Sequence, residues 1–348
     1  KEKFAPVYLD KLKQLTDLSE IEYIIMNHTE PDHSGSLKHL LELAPGATVV
    51  GSGNAIRYLK EIMDIPFRSL VVKNDDTLDL GNKTLRFISA PNLHWPDTMY
   101  TYLEEDKLLF TCDSFGAHYC DDRIFDDEVG DFSDAFKYYF DVILKPYSKF
   151  MLKAIEKIRP LEINMICTGH GPVLRKSWKE QVDLSEKYAR EYLELSGGEG
   201  TKRVLITYVS AYGYTGEMAE AIAEGISSGN NIDVKIMDIE NTGIGDVESE
   251  IVRSDALLVG SPTINQNTLL QIYKLFALIN PLRDKGKLAA SFGSYGWSGE
   301  AAGIIAANLK LLKLKVMDDN AAYKFRPEQK KHDELVEYGK LFASKMLS

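Results

Sequence analysis

The chain has 348 residues, 44% of them hydrophobic and 27% charged, with a formal net charge of −11. That is enough chain for two folded domains of ordinary globular composition. An acidic balance argues against a nucleic-acid partner, and no apolar run approaches the roughly 18 residues of a membrane helix, so no membrane partner is expected.

Taken in order, apolar and β-branched runs predict strands over residues 21–27, 47–52, 84–90, 98–105, 107–113 and 163–169. Helical spacing predicts helices over 36–44 and 55–63, one long helix over 133–158 and another over 178–195. The stretch "SGGEGTK", residues 196–202, reads as a linker. It divides the chain into a domain over 1–196 and a second over 202–348. Beyond it, strands over 203–209, 233–239, 255–261, 287–293 and 314–319 alternate with helices, and a last helix covers 327–347. That alternation describes an α/β domain with an open, five-stranded parallel sheet covered on both faces. The three cysteines, Cys112, Cys120 and Cys167, have no C-x-x-C spacing and form no disulfide framework. They point to a reducing compartment, the cytoplasm. The opening "KEKFAPVYLD" has no secretory h-region.

Within the first half, "HTEPDH" follows the predicted strand "IEYIIMN" and puts His28, Glu30, Asp32 and His33 into six residues. Carboxylates so close raise each other's pKa unless a cation sits between them. Three later strands also end in a turn with a donor: "APNLHWPDTM" offers His94, "LLFTCDSFG" offers Asp113 and "MICTGHGPV" offers His170. One such residue is ordinarily a turn former, a helix cap or a core histidine. Seven nitrogen and oxygen donors in four strand-end turns suffice for two metal ions bridged by a carboxylate. His118 follows Asp113 closely enough to line that pocket, whereas His39 and His332 match no donor position.

This arrangement resembles the metallo-β-lactamase superfamily, whose first motif is H-x-H-x-D-H. The resemblance implies an αββα sandwich with metals at one edge. Glu30 stands where the superfamily has its second histidine. A carboxylate there makes the site harder and favours iron over zinc, and the exchange is the mark of flavodiiron proteins. By that resemblance His28, Glu30 and His94 hold one iron, Asp32 and His170 the other, and Asp113 bridges. His33 occupies a position that in the family either coordinates or swings aside.

In the second half, "YVSAYGYTGEMA" lies between a predicted strand and a helix. Such a turn offers backbone N–H groups, hydroxyls and a helix dipole to a phosphate. It is neither a dinucleotide fingerprint nor a P-loop, which leaves a mononucleotide. Ser210, Ala211, Tyr212, Gly213, Tyr214 and Thr215 form the loop. It resembles the flavodoxin phosphate loop, with Tyr208 and Ala219 also at matching positions and Thr207 as a departure within the strand. Two further loops end neighbouring strands: Pro262, Thr263, Ile264 and Asn265 in one, and Ser294, Tyr295, Gly296, Trp297 and Gly299 in the other. Ligands of doubly wound sheets bind at such carboxyl ends, and Trp297 can stack beside a flavin ring.

Together the halves resemble the flavodiiron family, or A-type flavoproteins, over nearly the whole chain. The resemblance implies a flavodoxin-like second domain, FMN and two Fe ions as cofactors, and electron flow from an external donor through FMN to iron. O2 would be reduced to water, or NO to N2O. It also implies rubredoxin or a reduced deazaflavin as donor, a head-to-tail homodimer or a dimer of dimers, and further strands ahead of the position of Lys1. Two rival readings are a zinc-dependent lactamase-like or glyoxalase-II-like hydrolase domain fused to a flavodoxin, and an electron carrier with a degenerate front half.

Overall fold

A computed structural model describes residues 1–195, 201–228, 231–318 and 320–348 of the chain. Most of the expected linker, residues 196–200, lies outside the described residues. The chain separates into two compact units, Lys1–Leu193 and Glu194–Ser348.

In the first unit, strands β1 (Tyr23–Met26), β2 (Thr48–Gly51) and β3 (Arg68–Val71) pair in parallel as one sheet. A second sheet runs in sequence order through β4 (Thr77–Asp79), β5 (Thr84–Ser89), β6 (Met99–Leu103), β7 (Leu108–Cys112) and β8 (Met165–Thr168). Its pairings are antiparallel except the last, β7 with β8. Side chains alternate across each strand, and the core follows that alternation. Val50, Leu85, Phe87 and Met99 meet between the two sheets. Val49 turns the other way, with Met26, onto the helices Leu37–Leu43 and Gly53–Ile62. Ile88, Tyr100, Tyr102 and Leu109 cover the outer face of the second sheet and pack on helices Ser133–Tyr139, Ser148–Ile158 and Trp178–Leu195. The layers are helix, sheet, sheet, helix, the αββα sandwich anticipated above.

The long helix expected over 133–158 is interrupted. A π-helical turn, Phe140–Leu144, and a 3-10 turn, Lys145–Tyr147, separate its two α-helical parts. Pro146 supplies no N–H and crowds the preceding turn, so regular α geometry cannot pass through it. Helix Ala5–Lys13 and strands β3 and β4 were not anticipated. All four residues of β3 are exposed, so no alternation marks it.

The second unit has strands β9 (Lys202–Tyr208), β10 (Ile232–Asp238), β11 (Ala256–Gly260), β12 (Leu288–Tyr295), β13 (Lys315–Val316) and β14 (Ala321–Lys324). All pair in parallel, in the order β10-β9-β11-β12, with β13 and β14 sharing the next position along β12. The single fifth strand expected over 314–319 is therefore two short ones, with the turn-forming Asp318 and Asn320 between them. Val204, Ile206 and Leu258 face helices Tyr214–Ser227 and Gln329–Leu347, while Leu205, Leu257 and Val259 face the helices of the opposite side. Both faces are covered, as in flavodoxin-like folds. No helix among the described residues is long and apolar enough to cross a membrane.

Candidate metal centre and flavin cradle

All four donor-bearing turns leave strands of the first unit. The loop after β1 carries His28 and Glu30, and Pro31 opens the short helix Pro31–Ser34, which carries Asp32 and His33. The Glu30 carbonyl accepts from the amides of His33 and Ser34, and Ser34 Oγ donates to Thr29 O, so the six residues are tied together. His94 lies between β5 and β6, Asp113 follows β7 and His170 follows β8. A Cβ on Gly169 would fall 2.8 Å from His33 Cε1, so glycine before His170 lets that turn close on the His33 ring.

The seven side chains form two groups that meet at Asp113. Asp113 Oδ2 lies 3.3 Å from His28 Nε2 and 3.5 Å from His94 Nε2. Glu30 Oε2 lies 3.4 Å and 2.8 Å from the same two nitrogens. Asp113 Oδ1 lies 3.1 Å from His33 Nε2 and 3.3 Å from His170 Nε2. Asp32 completes this second group, with Oδ2 3.2 Å from His170 Nε2 and Oδ1 3.6 Å from His33 Nε2. One carboxylate thus offers one oxygen to each group. His33 points into the second group rather than aside.

The donor set fits cations. Asp113 Oδ2 and Asp32 Oδ1 are buried with no hydrogen-bond partner, and a buried carboxylate oxygen left so is costly unless it binds a cation. Burial alone would raise the Asp113 carboxyl, but hydrogen bonds from His170 and His33 hold it far below the usual carboxylate range. Asp113, by its hydrogen bond, pulls the His170 imidazole pKa up. All seven donor residues offer nitrogen or oxygen, a set that suits iron or zinc, and the Glu30 oxygen in place of an imidazole shifts it toward the harder iron.

Several contributors escaped the sequence. Tyr139 Oη donates to Asp113 Oδ1 at 3.1 Å, and burial together with the Asp113 charge keeps its phenol protonated. It sits just before the π turn, which no periodicity announces. Asp97, fully buried, follows His94 in the same turn and faces His28 Nδ1 at 3.4 Å. The Cys112 thiol lies 3.6 Å from His33 Nδ1, and burial raises its pKa well above the ordinary value. His118 is exposed, its ring centroid 4.7 Å from Tyr139 and 5.9 Å from His170, so it stands at the rim of the second group. His39 pairs with Glu2 and Glu42, and His332 with Glu224 and Asp333; none of these is a donor of the two groups.

In the second unit the three expected loops leave the carboxyl ends of β9, β11 and β12, adjacent strands. Ser210 to Gly213 precede helix Tyr214–Ser227, which Tyr214 and Thr215 open; Gly213 caps it with a left-handed φ of 84°. Thr215 Oγ1 is 2.9 Å from Ser294 Oγ, and the Thr263 amide donates to the Ser294 carbonyl at 2.9 Å, tying the loops together. Pro262, Ile264 and Asn265 continue the second loop, whose Ile264–Asn267 turn has left-handed Asn265 and Gln266. Tyr295 ends β12, and Gly296, Trp297 and Gly299 lead into helix Glu300–Leu311. Ser210 Oγ is buried without a partner and faces the need a phosphate oxygen would meet. Trp297 is 79% and Tyr212 83% exposed, so neither ring is packed in its turn. Phe325, just after the unanticipated β14, is also exposed and donates its amide to the Tyr295 carbonyl.

Comparison with known proteins agrees with both halves. Residues 1–171 match the family described as ODP family beta lactamase, and residues 206–339 match the flavodoxin family. The chain is 40% identical to the flavo-diiron protein FprA2 of Clostridium acetobutylicum, over 98% of this chain and 86% of that protein. It is 38% identical to the anaerobic nitric oxide reductase flavorubredoxin of Salmonella arizonae, over 88% of this chain and 64% of that protein. Among solved structures, rubredoxin oxygen:oxidoreductase from Desulfovibrio gigas superposes with a TM-score of 0.65 at 28% identity, covering 100% of this chain and 86% of that one.

Proposed function

The chain belongs to the flavodiiron family of oxidoreductases, and from that premise we propose that it takes electrons from an external donor through FMN to a di-iron centre that reduces O2 to water, NO to N2O, or both. The observation that carries this reading is Asp113, whose two oxygens divide between two nitrogen- and oxygen-only groups, one of them containing Glu30 in a histidine's place.

His28, Glu30 and His94 would hold one iron and Asp32, His33 and His170 the other, with Asp113 offering an oxygen to each. When bound, the iron pair supplies electrons to a diatomic oxidant and the flavin replenishes them. The protein's own part is to position and to keep protons in place. Tyr139 keeps its proton on Oη beside Asp113 Oδ1, which steadies the bridging carboxylate. Ser210 Oγ, the first amides of helix Tyr214–Ser227 and Thr215 hold the flavin phosphate. Tyr212 and Trp297 lie open at that cradle, where their faces would be free to stack on a flavin ring. Rubredoxin or a reduced deazaflavin serves as donor, and a second copy of the chain, in a head-to-tail dimer, brings flavin and iron together.

Turnover of the reconstituted protein, reduced anaerobically and then supplied with O2 or with NO alone, with chemically reduced rubredoxin as donor, tests the proposal. Two irons per chain and consumption of O2 or NO are expected. Zinc in place of iron, with hydrolysis of a thioester or lactam and no gas consumption, would favour the hydrolase reading instead.

A further inference from the structure

The turn that delivers His94 also delivers Asp97, which is completely buried. Its Oδ2 accepts two hydrogen bonds of 2.8 Å, from the Thr29 amide and the Thr29 hydroxyl. Its other oxygen, Oδ1, has no hydrogen-bond donor and lies 3.4 Å from His28 Nδ1, which has no partner either. His28 is itself buried, and across its ring Nε2 faces Glu30 and Asp113. Each orphaned atom is therefore the partner the other lacks. A proton on Nδ1 aimed at Oδ1 would serve both once a small turn of the ring brings the pair, now 3.4 Å apart, into hydrogen-bond geometry. It also leaves Nε2 as a lone-pair donor toward the metal side.

We propose that Asp97 is the positioning residue of the His28–Glu30–His94 subsite: anchored by Thr29, it keeps the His28 proton on Nδ1 so that Nε2 faces the cation as a ligand. This rests on reading the seven donors as a metal centre. Among the described residues the Asp97 carboxylate reaches His28 and no donor of the second subsite, so its influence is confined to one of the two metals.

Asp97→Asn separates this role from a structural one. Asparagine keeps the size and can still accept from Thr29 through its oxygen, but it then turns an N–H toward His28 Nδ1. A donor there favours the tautomer with its proton on Nε2, aimed at the metal. Metal-free wild type and variant are titrated anaerobically with ferrous iron against a competing chelator. Wild type is expected to bind two equivalents tightly. The variant keeps one and binds the other about 10- to 100-fold more weakly, the usual effect of losing a carboxylate partner behind a ligating histidine. The melting temperature of the metal-free protein stays unchanged. In the zinc-loaded protein, the slowly exchanging Nδ1–H resonance of His28 is present in wild type and absent in the variant. Thr29→Val, which removes only the hydroxyl anchor of Asp97, weakens the same equivalent to a smaller degree and decides the matter if Asp97→Asn does not fold. Unchanged affinity, or equal weakening of both equivalents, overturns the proposal. A wild type that binds no metal overturns the metal centre itself.

Discussion

Gly225→Ala tests how closely the second unit's helices are fitted beneath the flavin cradle. Helix Tyr214–Ser227, which begins at the phosphate loop, crosses helix Gln329–Leu347 at Gly225 and Gly339. A Cβ on Gly225 would fall 2.0 Å from the Val336 carbonyl oxygen, about 1.4 Å short of the 3.4 Å at which ordinary contact begins. A Cβ on Gly339 would fall 2.2 Å from the Ile222 carbonyl oxygen. Both obstacles are backbone, so no side chain can rotate aside. Two effects compete. Alanine favours the helix over glycine by about 1 kcal/mol. Forcing the helices apart loosens Ile222, Ile226, Leu335 and Phe342, which pack together there, and overpacking of this kind costs about 1–3 kcal/mol. With backbone on both sides the upper part of that range applies, for a net loss of about 1–2 kcal/mol. In a unit of this size the melting midpoint should fall by about 2–8 °C. Circular dichroism melts of the full chain, followed in parallel by flavin release, read the shift. Gly303→Ala is the control, because its Cβ would meet nothing within 4 Å and helix propensity then acts alone. It should raise the midpoint. A Gly225→Ala protein as stable as Gly303→Ala would refute the packing argument.

Three other expectations follow, two from the sites and one from a half-buried carboxylate elsewhere in the first unit. Glu30→His restores the superfamily's imidazole; metal analysis should find zinc gaining on iron and gas reduction lost, whereas unchanged iron content would contradict the role given to this carboxylate. Ser210→Ala removes the buried hydroxyl of the phosphate loop and should weaken FMN binding by about 1 kcal/mol, roughly fivefold, in a flavin fluorescence titration. Asp126 predicts a pH dependence: burial would raise its carboxyl, but the Ser177 hydroxyl and amide and the Lys176 and Arg175 amides bind it and bring it below the ordinary value. Its stabilising contribution is therefore complete above the unfolded carboxylate pKa of about 3.9 and disappears as pH falls through the lower folded value. Urea midpoints of the wild type should drop more steeply than those of Asp126→Asn across that acid window.

The fold class was legible because β6, β9 and β11 carry nearly continuous runs of buried residues, and in β9 and β11 such runs between helices mark a parallel sheet covered on both faces. β3 was not, since its residues are all exposed and carry no pattern. The long helix over 133–158 looked continuous because its apolar spacing runs through Pro146; only packing reveals the π turn beside Tyr139. Glu30 was legible because one carboxylate replaces an imidazole inside an otherwise matching motif. Asp97 was not, because an aspartate after a proline in a turn reads the same whether it is solvated or buried behind a histidine. Phe325 was missed for another reason: β14, with two alanines, a tyrosine and a lysine, has no β-branched residue to mark it as a strand. Sequence pattern reports which residues share a face, and it is silent on which of two neighbouring polar groups is deprived of water.

Asp113 is carried by an uncomfortable stretch of backbone. The pairing of β7 with β8 slips between Phe110 and Cys112, and Cys112 and Phe115 adopt left-handed φ angles of 52° and 66°. Side-chain-bearing residues hold such angles at a cost of order 1–3 kcal/mol each. Cys112→Gly would relieve its own angle but also remove a buried side chain and loosen the unfolded chain, so the expected change lies in the placing of Asp113 rather than in a gain of stability. Backbone strain thus sits directly beside the one carboxylate whose two oxygens face different groups of donors.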